Sequence, residues 1–165
     1  MTGRARRLWV SGENWNTIVP IRLATRADIP SLMALGKDSP TAAHWSRAQY
    51  EAAFSGVAPR RVLLVLEEDG PRGFLAGQAV DKEWELENVV VGGGARGRGL
   101  GTQLVREFLR QANYARAENV FLEVRESNLA ARKLYEKLQF VKTGRRRAYY
   151  REPEEDAILY RRSLT

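Results

Sequence analysis

Residues 88–111 read NVVVGGGARGRGLGTQLVREFLRQ. The β-branched run Val89, Val90, Val91 enters a glycine cluster (Gly92, Gly93, Gly94, Gly97, Gly99, Gly101), which opens onto an amphipathic helix carrying Leu100, Leu104, Val105, Phe108 and Leu109 on one side. The pattern predicts a strand, a bare loop and a helix start. Glycines let the backbone approach a ligand closely, and a helix N-terminus presents unpaired N–H groups with roughly half a positive charge. The natural guest is anionic oxygen. Three phosphate-loop patterns compete for it. GxxxxGK[ST] begins correctly at Gly92 and Gly97 but fails, because Arg98 and Gly99 stand where the lysine and the metal-binding hydroxyl are needed. Residues Gly92 to Gly97 do satisfy GxGxxG, with Glu118, Glu123 or Glu126 as ribose-binding acids, yet they sit mid-chain rather than in an opening βα turn. The third pattern is R-x-x-G-x-G over Arg96 to Gly101, directly after a hydrophobic strand.

The remainder of the chain narrows the choice of chemistry. At 165 residues it fits one domain with a proper core. No cysteine is present, which removes disulfides, thiolate nucleophiles and zinc-thiolate sites, and no metal is expected. The only histidine, His44, lies in AAHWS with no G-x-S-x-G nearby, and reads as a solvated or capping residue. The formal charge of +7, mostly arginine, suggests an anionic partner, either a phosphorylated cofactor or RNA. Without zinc-finger spacing or an aromatic RNA-binding consensus, direct nucleic-acid binding is not the favoured reading, and Arg145, Arg146 and Arg147 serve equally as a solvated face. Residues 1–17 read as a basic, flexible tail, residues 18–165 as the domain. With no long apolar run, the chain reads as soluble, cytoplasmic and free of membrane.

In chain order, Ile18 to Ala24 predicts a first strand. Thr25 caps a helix ending near Gly36, and Ser46 with Gln49 forms a capping box for a second helix stopping at Gly56. Arg61 to Glu67 and Gly73 to Val80 flank a turn at Glu68 to Pro71, an antiparallel hairpin. Glu83 to Val91 is the next strand, and its helix runs to about Ala117. Asn119 to Val124 is a strand, Ser127 caps a helix with Ala131, Leu134, Tyr135 and Leu138 on one side, and Phe140 to Tyr149 and Asp156 to Arg162 are two final strands. The order β-α-α-β-β-β-α-β-α-β-β is α/β with a mostly antiparallel sheet and one βαβ crossover.

That order and the R-x-x-G-x-G motif resemble the GNAT acetyltransferase superfamily, from about Ile18 to the C-terminus. His44-Trp45-Ser46, Gln49-Tyr50, Asn88 to Val91, Leu122 to Asn128, Ala130-Ala131, Leu134 to Lys137, Phe140, Arg146 and Tyr149-Tyr150 resemble its ribosomal-protein-alanine, RimI-like branch. The resemblance implies a mixed seven-stranded sheet with about four helices and an acetyl-CoA-binding βαβ crossover. It implies a cleft between splayed strands, where backbone groups of Val89, Val90 and Val91 take the pantetheine arm. N–H groups from Gly97 through Gly99, Leu100 and Gly101 to Thr102 take the pyrophosphate, Arg96 and Arg98 add charge at the rim, and Asn128 touches the cofactor. Two departures bear on cofactor affinity: Gly92-Gly93-Gly94 replaces an Asp-Pro turn, and Gly97 a basic residue. Gln139 replaces a glycine, which strains the turn if φ is positive there.

Proton transfer falls on carboxylates and a tyrosine. In NVFLEV, Glu123 alternates with Val120, Leu122 and Val124, so it projects from the opposite face alongside Phe121. A carboxylate in mid-strand is costly without a partner or a task. It is either a salt-bridged or solvated residue or, as the resemblance implies, the general base. Periodicity alone makes Tyr135 a core aromatic with its hydroxyl at the surface, whereas the resemblance makes it the general acid. Glu85 shares a strand face with Glu87 and is the second candidate base or a collector of the substrate's positive end, with Tyr149 and Tyr150 as groove residues. The expected activity is direct acetyl transfer to a protein N-terminal α-amine, a ribosomal protein among the candidates. Rivals are a lysine or small-amine acetyltransferase, and a silent acyl-CoA-binding or RNA-associated module. A peptide acceptor calls for an open groove beside Glu123, and a small amine for a closed pocket.

Overall fold

Asp69 and Gly70 carry φ of 52° and 106°, the handedness that a tight hairpin turn requires, and they close the antiparallel pair expected from the turn residues. The structure, a computed structural model, describes residues 18–165, and the expected flexible tail over residues 1–17 lies outside the described residues. The elements are β1 (Ile21–Leu23), α1 (Ile29–Lys37), α2 (Arg47–Ala52), β2 (Arg60–Glu67), β3 (Pro71–Val80), β4 (Glu83–Val91), α3 (Leu100–Tyr114), β5 (Asn119–Arg125), α4 (Leu129–Lys137), β6 (Val141–Tyr150) and β7 (Glu155–Ser163). Their sheet order is β1-β2-β3-β4-β5-β7-β6, with β4 and β5 the parallel pair joined by α3. The mixed seven-stranded sheet with four α-helices is the architecture anticipated.

Strand β2 is buried on both faces because helices cover both. Val62, Leu64 and Leu66 join Leu104 and Phe108 of α3, while Leu63 and Val65 join Ile29, Leu32 and Tyr50 under α1 and α2. The second core reaches only as far as β4. On the same face of β5 and β7, Phe121, Glu123 and Leu159 line an open pocket instead.

Two irregularities of β4 shape the site. Ala76 pairs with Asn88 and Gly77 with Leu86, which leaves Glu87 as a bulge. Trp84 and Leu86 therefore face the α3 core before it, Val89 and Val91 after it, and Val90 turns to the second core. Pairing with β5 stops at Leu86 and Leu122, although β4 continues to Val91 and β5 to Arg125. The two parallel strands part there.

Several boundaries differ from expectation: the first strand is Ile21–Leu23 rather than Ile18 to Ala24, and Thr25 caps a single 3-10 turn, Arg26–Asp28, that precedes α1. Helix α3 stops at Tyr114 rather than near Ala117 because Arg116 adopts φ 59°, and the N–H groups of Arg116 and Ala117 close back on the carbonyls of Asn113 and Ala112 at 3.0 and 2.9 Å. Helix α2 ends at Ala52, short of Gly56, although Ser46 accepts from Gln49 as the capping box predicts. Helix α4 is capped by Asn128, whose Oδ1 accepts from the Ala131 N–H at 3.2 Å, not by Ser127. The Ser127 N–H is taken by Glu155, which keeps Ser127 in the turn before the helix. Gln139 has φ 65°, the left-handed conformation that disfavours a side chain.

Candidate active site

The parting strands open a cleft of about 850 Å³. On one side, Gly97 and Gly99 hold φ of 76° and 71°, and a Cβ at either would meet open space. Their backbone, not a crowded neighbour, calls for glycine. Helix α3 then begins without an acidic residue in its first turn. The first helical donor to find a carbonyl is Gln103, bonded to Gly99 at 3.2 Å. The N–H groups of Leu100, Gly101 and Thr102 have no backbone acceptor among the described residues. Three free donors at the positive end of a 15-residue helix suit a diphosphate. The triple-glycine turn is braced, since Ala95 is buried and donates to Gly92 at 2.9 Å.

Nine of the eleven residues expected at the donor side line this cleft: Val89, Val91, Arg96, Gly97, Gly99, Leu100, Gly101, Thr102 and Asn128. Two do not. The Val90 side chain packs in the second core, so only its backbone is available to a ligand. Arg98 is drawn away from the cleft into a two-pronged pair with Glu68 of the β2–β3 turn, at 2.9 and 2.8 Å. Arg96 remains at the rim, its Nε donating to the Val91 carbonyl at 3.1 Å.

Glu123, Tyr135, Glu85, Tyr149 and Tyr150 line the cleft as well. Tyr135 is a core aromatic that also borders the cleft. Its ring is clamped edge-on by Phe140 at 5.7 Å and tilted against Tyr160 at 6.4 Å, while its side chain reaches the cleft wall. Burial pushes its phenol well above the usual tyrosine range, so the hydroxyl stays protonated throughout neutral pH. Tyr150 is pushed up to about 12, by burial first and by the Glu123 charge second. Tyr149 is raised mainly by the interaction of its hydroxyl with Glu123. Glu123 is ion-paired with Arg146, Nε to Oε1 at 3.2 Å, the salt-bridged alternative made concrete. Glu85 accepts from Gln78 Nε2 at 2.5 Å.

Sequence reasoning missed one anchoring residue and undervalued one loop. Asn88 is 5 % exposed, and its side chain exchanges two hydrogen bonds with the Ala43 backbone, at 3.0 and 3.3 Å. These bonds fasten residues 41–45, including exposed His44 and half-buried Trp45, as a wall of the cleft. The signal was available, as an amide inside the apolar run after Leu86, but its direction depended on the bulge. Asn88→Ala removes two part-buried hydrogen bonds, each worth about 0.5–1.5 kcal/mol. Chemical denaturation checks that loss, and the acceptor KM is expected to rise several-fold while the acetyl-CoA KM moves little.

Among the described residues no cluster of His, Cys, Asp and Glu could hold a metal ion, and no helix is long and apolar enough to cross a membrane.

Residues 29–140 match the model of the acetyltransferase (GNAT) family. An N-alpha-acetyltransferase RimI of Mycobacterium tuberculosis is 42% identical over 80 residues, 48% of this chain and 49% of the relative, so the match spans about half of that protein's length. The [ribosomal protein bS18]-alanine N-acetyltransferase of Salmonella typhimurium is 32% identical over 143 residues, covering 84% of this chain and 93% of the relative. The crystal structure of the ribosomal-protein-S18-alanine N-acetyltransferase from Escherichia coli superposes with a TM-score of 0.79 at 27% identity, covering 90% of this chain and 95% of that one. With the family match spanning the parted strands, the glycine loop and the helix behind Tyr135, this chain belongs to the GNAT acetyltransferase family.

Proposed function

We propose that this chain is an acetyl-CoA-dependent N-acetyltransferase whose acceptor is the α-amine of a protein N-terminus, a ribosomal protein in the cytoplasm being the favoured candidate. One observation carries the reading: a carboxylate, Glu123, and a protonated phenol, Tyr135, line the same cleft as the bare N-terminus of α3. The backbone of Val89 to Val91 and the N–H groups through Thr102 would hold the donor, which supplies an activated acetyl group as a thioester.

Glu123 takes the proton that the acceptor ammonium must lose before nitrogen can form its bond to the acetyl carbon. As the carbon–sulfur bond breaks, Tyr135 gives its proton to the departing sulfur, and the second proton that the nitrogen sheds on becoming an amide replaces it. The scheme leaves no covalent enzyme intermediate, in keeping with a chain that has no cysteine. An α-amine with pKa near 8 costs only about 1.4 kcal/mol to be neutral at pH 7, against about 4.6 kcal/mol for lysine. A single carboxylate suffices for the first.

An open groove beside Glu123 supports a peptide over a small amine: Glu85 and Glu123 are shared between the cleft and a second pocket of about 310 Å³. The names of the Salmonella and Escherichia relatives point to the same acceptor class. The test is coenzyme A release with peptides that begin with alanine, the same peptides blocked at the N-terminus, and peptides whose only amine is lysine. Turnover of the free peptides alone is the expected result. Equal turnover of blocked and free peptides overturns the α-amine assignment.

A further inference from the structure

Glu123 stands in a wall with a cavity on each side. Arg146 lines the side pocket and not the cleft, whereas Tyr149 lines the cleft and not the side pocket. The carboxylate therefore has a front, where an acceptor enters, and a back, where a guanidinium already sits. Glu123 is 20 % exposed through its side chain and Arg146 is 55 % exposed. A glutamate on a sheet face without a covering helix would otherwise turn among its rotamers, and a charge-assisted bond reaching across β7 from β6 restricts that freedom.

Strand alternation puts Arg146 in this place. It is the last residue of β6 to pair in the ladder, opposite Ala157, before residues 147–149 leave the register. Arg145 points elsewhere, to Glu126 and Asp156 at 2.5 and 2.8 Å. The Arg146 guanidinium also lies 5.4 Å from the centre of the Tyr149 ring, whose hydroxyl meets the same carboxylate. One member of the arginine triplet is thus set against the carboxylate proposed above to move the proton.

We propose that Arg146 is a positioning residue for proton transfer: it grips Glu123 from the side pocket and keeps the carboxylate facing the cleft. The inference rests on Glu123 being the base. Its test is a double-mutant cycle of Glu123→Gln and Arg146→Ala, assayed at saturating acetyl-CoA, with added guanidinium at millimolar concentration as a rescue. Arg146→Ala alone is expected to lower kcat on the order of ten-fold, with the acetyl-CoA KM unmoved. In the Glu123→Gln background the same change is expected to cost less than about two-fold. Guanidinium should restore part of the rate to the single Arg146→Ala variant and none to the double variant.

A wild-type kcat in Arg146→Ala overturns the proposal. So does an equal loss in both backgrounds, which marks a general structural role, or guanidinium rescue that persists without Glu123. If Arg146→Ala does not fold, Arg146→Gln and Arg146→Lys carry the same cycle, the lysine variant losing less than the glutamine one. A Glu123→Gln enzyme at full rate removes the base assignment itself, whatever Arg146 does, so the two failures are told apart.

Discussion

A Glu123→Gln enzyme is expected to fold normally and to lose about 10²- to 10⁴-fold in kcat/KM at neutral pH, the span that a positioned general base contributes. The substitution keeps the shape of the side chain and removes its capacity to take a proton. Arg146 loses its charge partner but is half exposed on an edge strand, so the change in stability stays within about 1 kcal/mol. The pH profile supplies the sharper reading. Without a base, the enzyme must wait for acceptor that is already neutral. The residual rate should therefore climb about ten-fold per pH unit until the α-amine itself titrates near pH 8, and then level. Initial rates of coenzyme A release between pH 6 and 9 check both. A variant that keeps the full rate across that range moves the base elsewhere, with Glu85 next in line since it lines the same cleft.

The second large effect is expected from Tyr135→Phe. The ring is held by Phe140 and Tyr160, and these contacts survive the substitution. The hydroxyl has no hydrogen-bond partner among the described residues, so its removal strands no other buried group. Stability should move by no more than about 0.5 kcal/mol. The rate should fall on the order of 10²-fold, in kcat and not in either KM, because the proton is needed only as the sulfur departs. A melting curve and steady-state kinetics on one preparation separate the two roles of Tyr135. An unchanged kcat leaves it a core aromatic alone.

Much of this is legible in the sequence alone. Strand β4 was placed residue for residue, because Trp84 and Leu86 alternate with charge and the valines run into glycine. The α3 helix start was equally clear, since a left-handed backbone at Gly97 and Gly99 leaves little choice of residue. Its far end was not, because the reversal there falls on Arg116, a residue with no preference for that conformation. Gln139 repeats the lesson at the end of α4, where a glycine would have marked the stop.

The site residues divide along the same line. Arg96 and Arg98 are two positions apart and equivalent as written, yet one stays at the cleft and the other is bound to Glu68. Glu68 lies 30 residues away in sequence and on the adjacent hairpin turn in space. Asn88 could be seen as odd in its strand, but the single-residue bulge at Glu87 decided which face it joined. Glu123 could be seen to leave the core. Its partner could not, since Arg146 is one of 27 basic residues in the chain.

By itself, the sequence determined what depends on neighbours along the chain: the period of each strand and helix, the turn of the hairpin, the glycine conformations and the bare helix end that invites an anion. The tertiary structure alone decided which charges meet. A hydrogen bond or ion pair is settled by a few tenths of an ångström between atoms on different elements. The parting of β4 from β5, the bulge at Glu87 and the uncovered face of β5 set those distances here, and with them the division of Glu123 into a front for the acceptor and a back for Arg146.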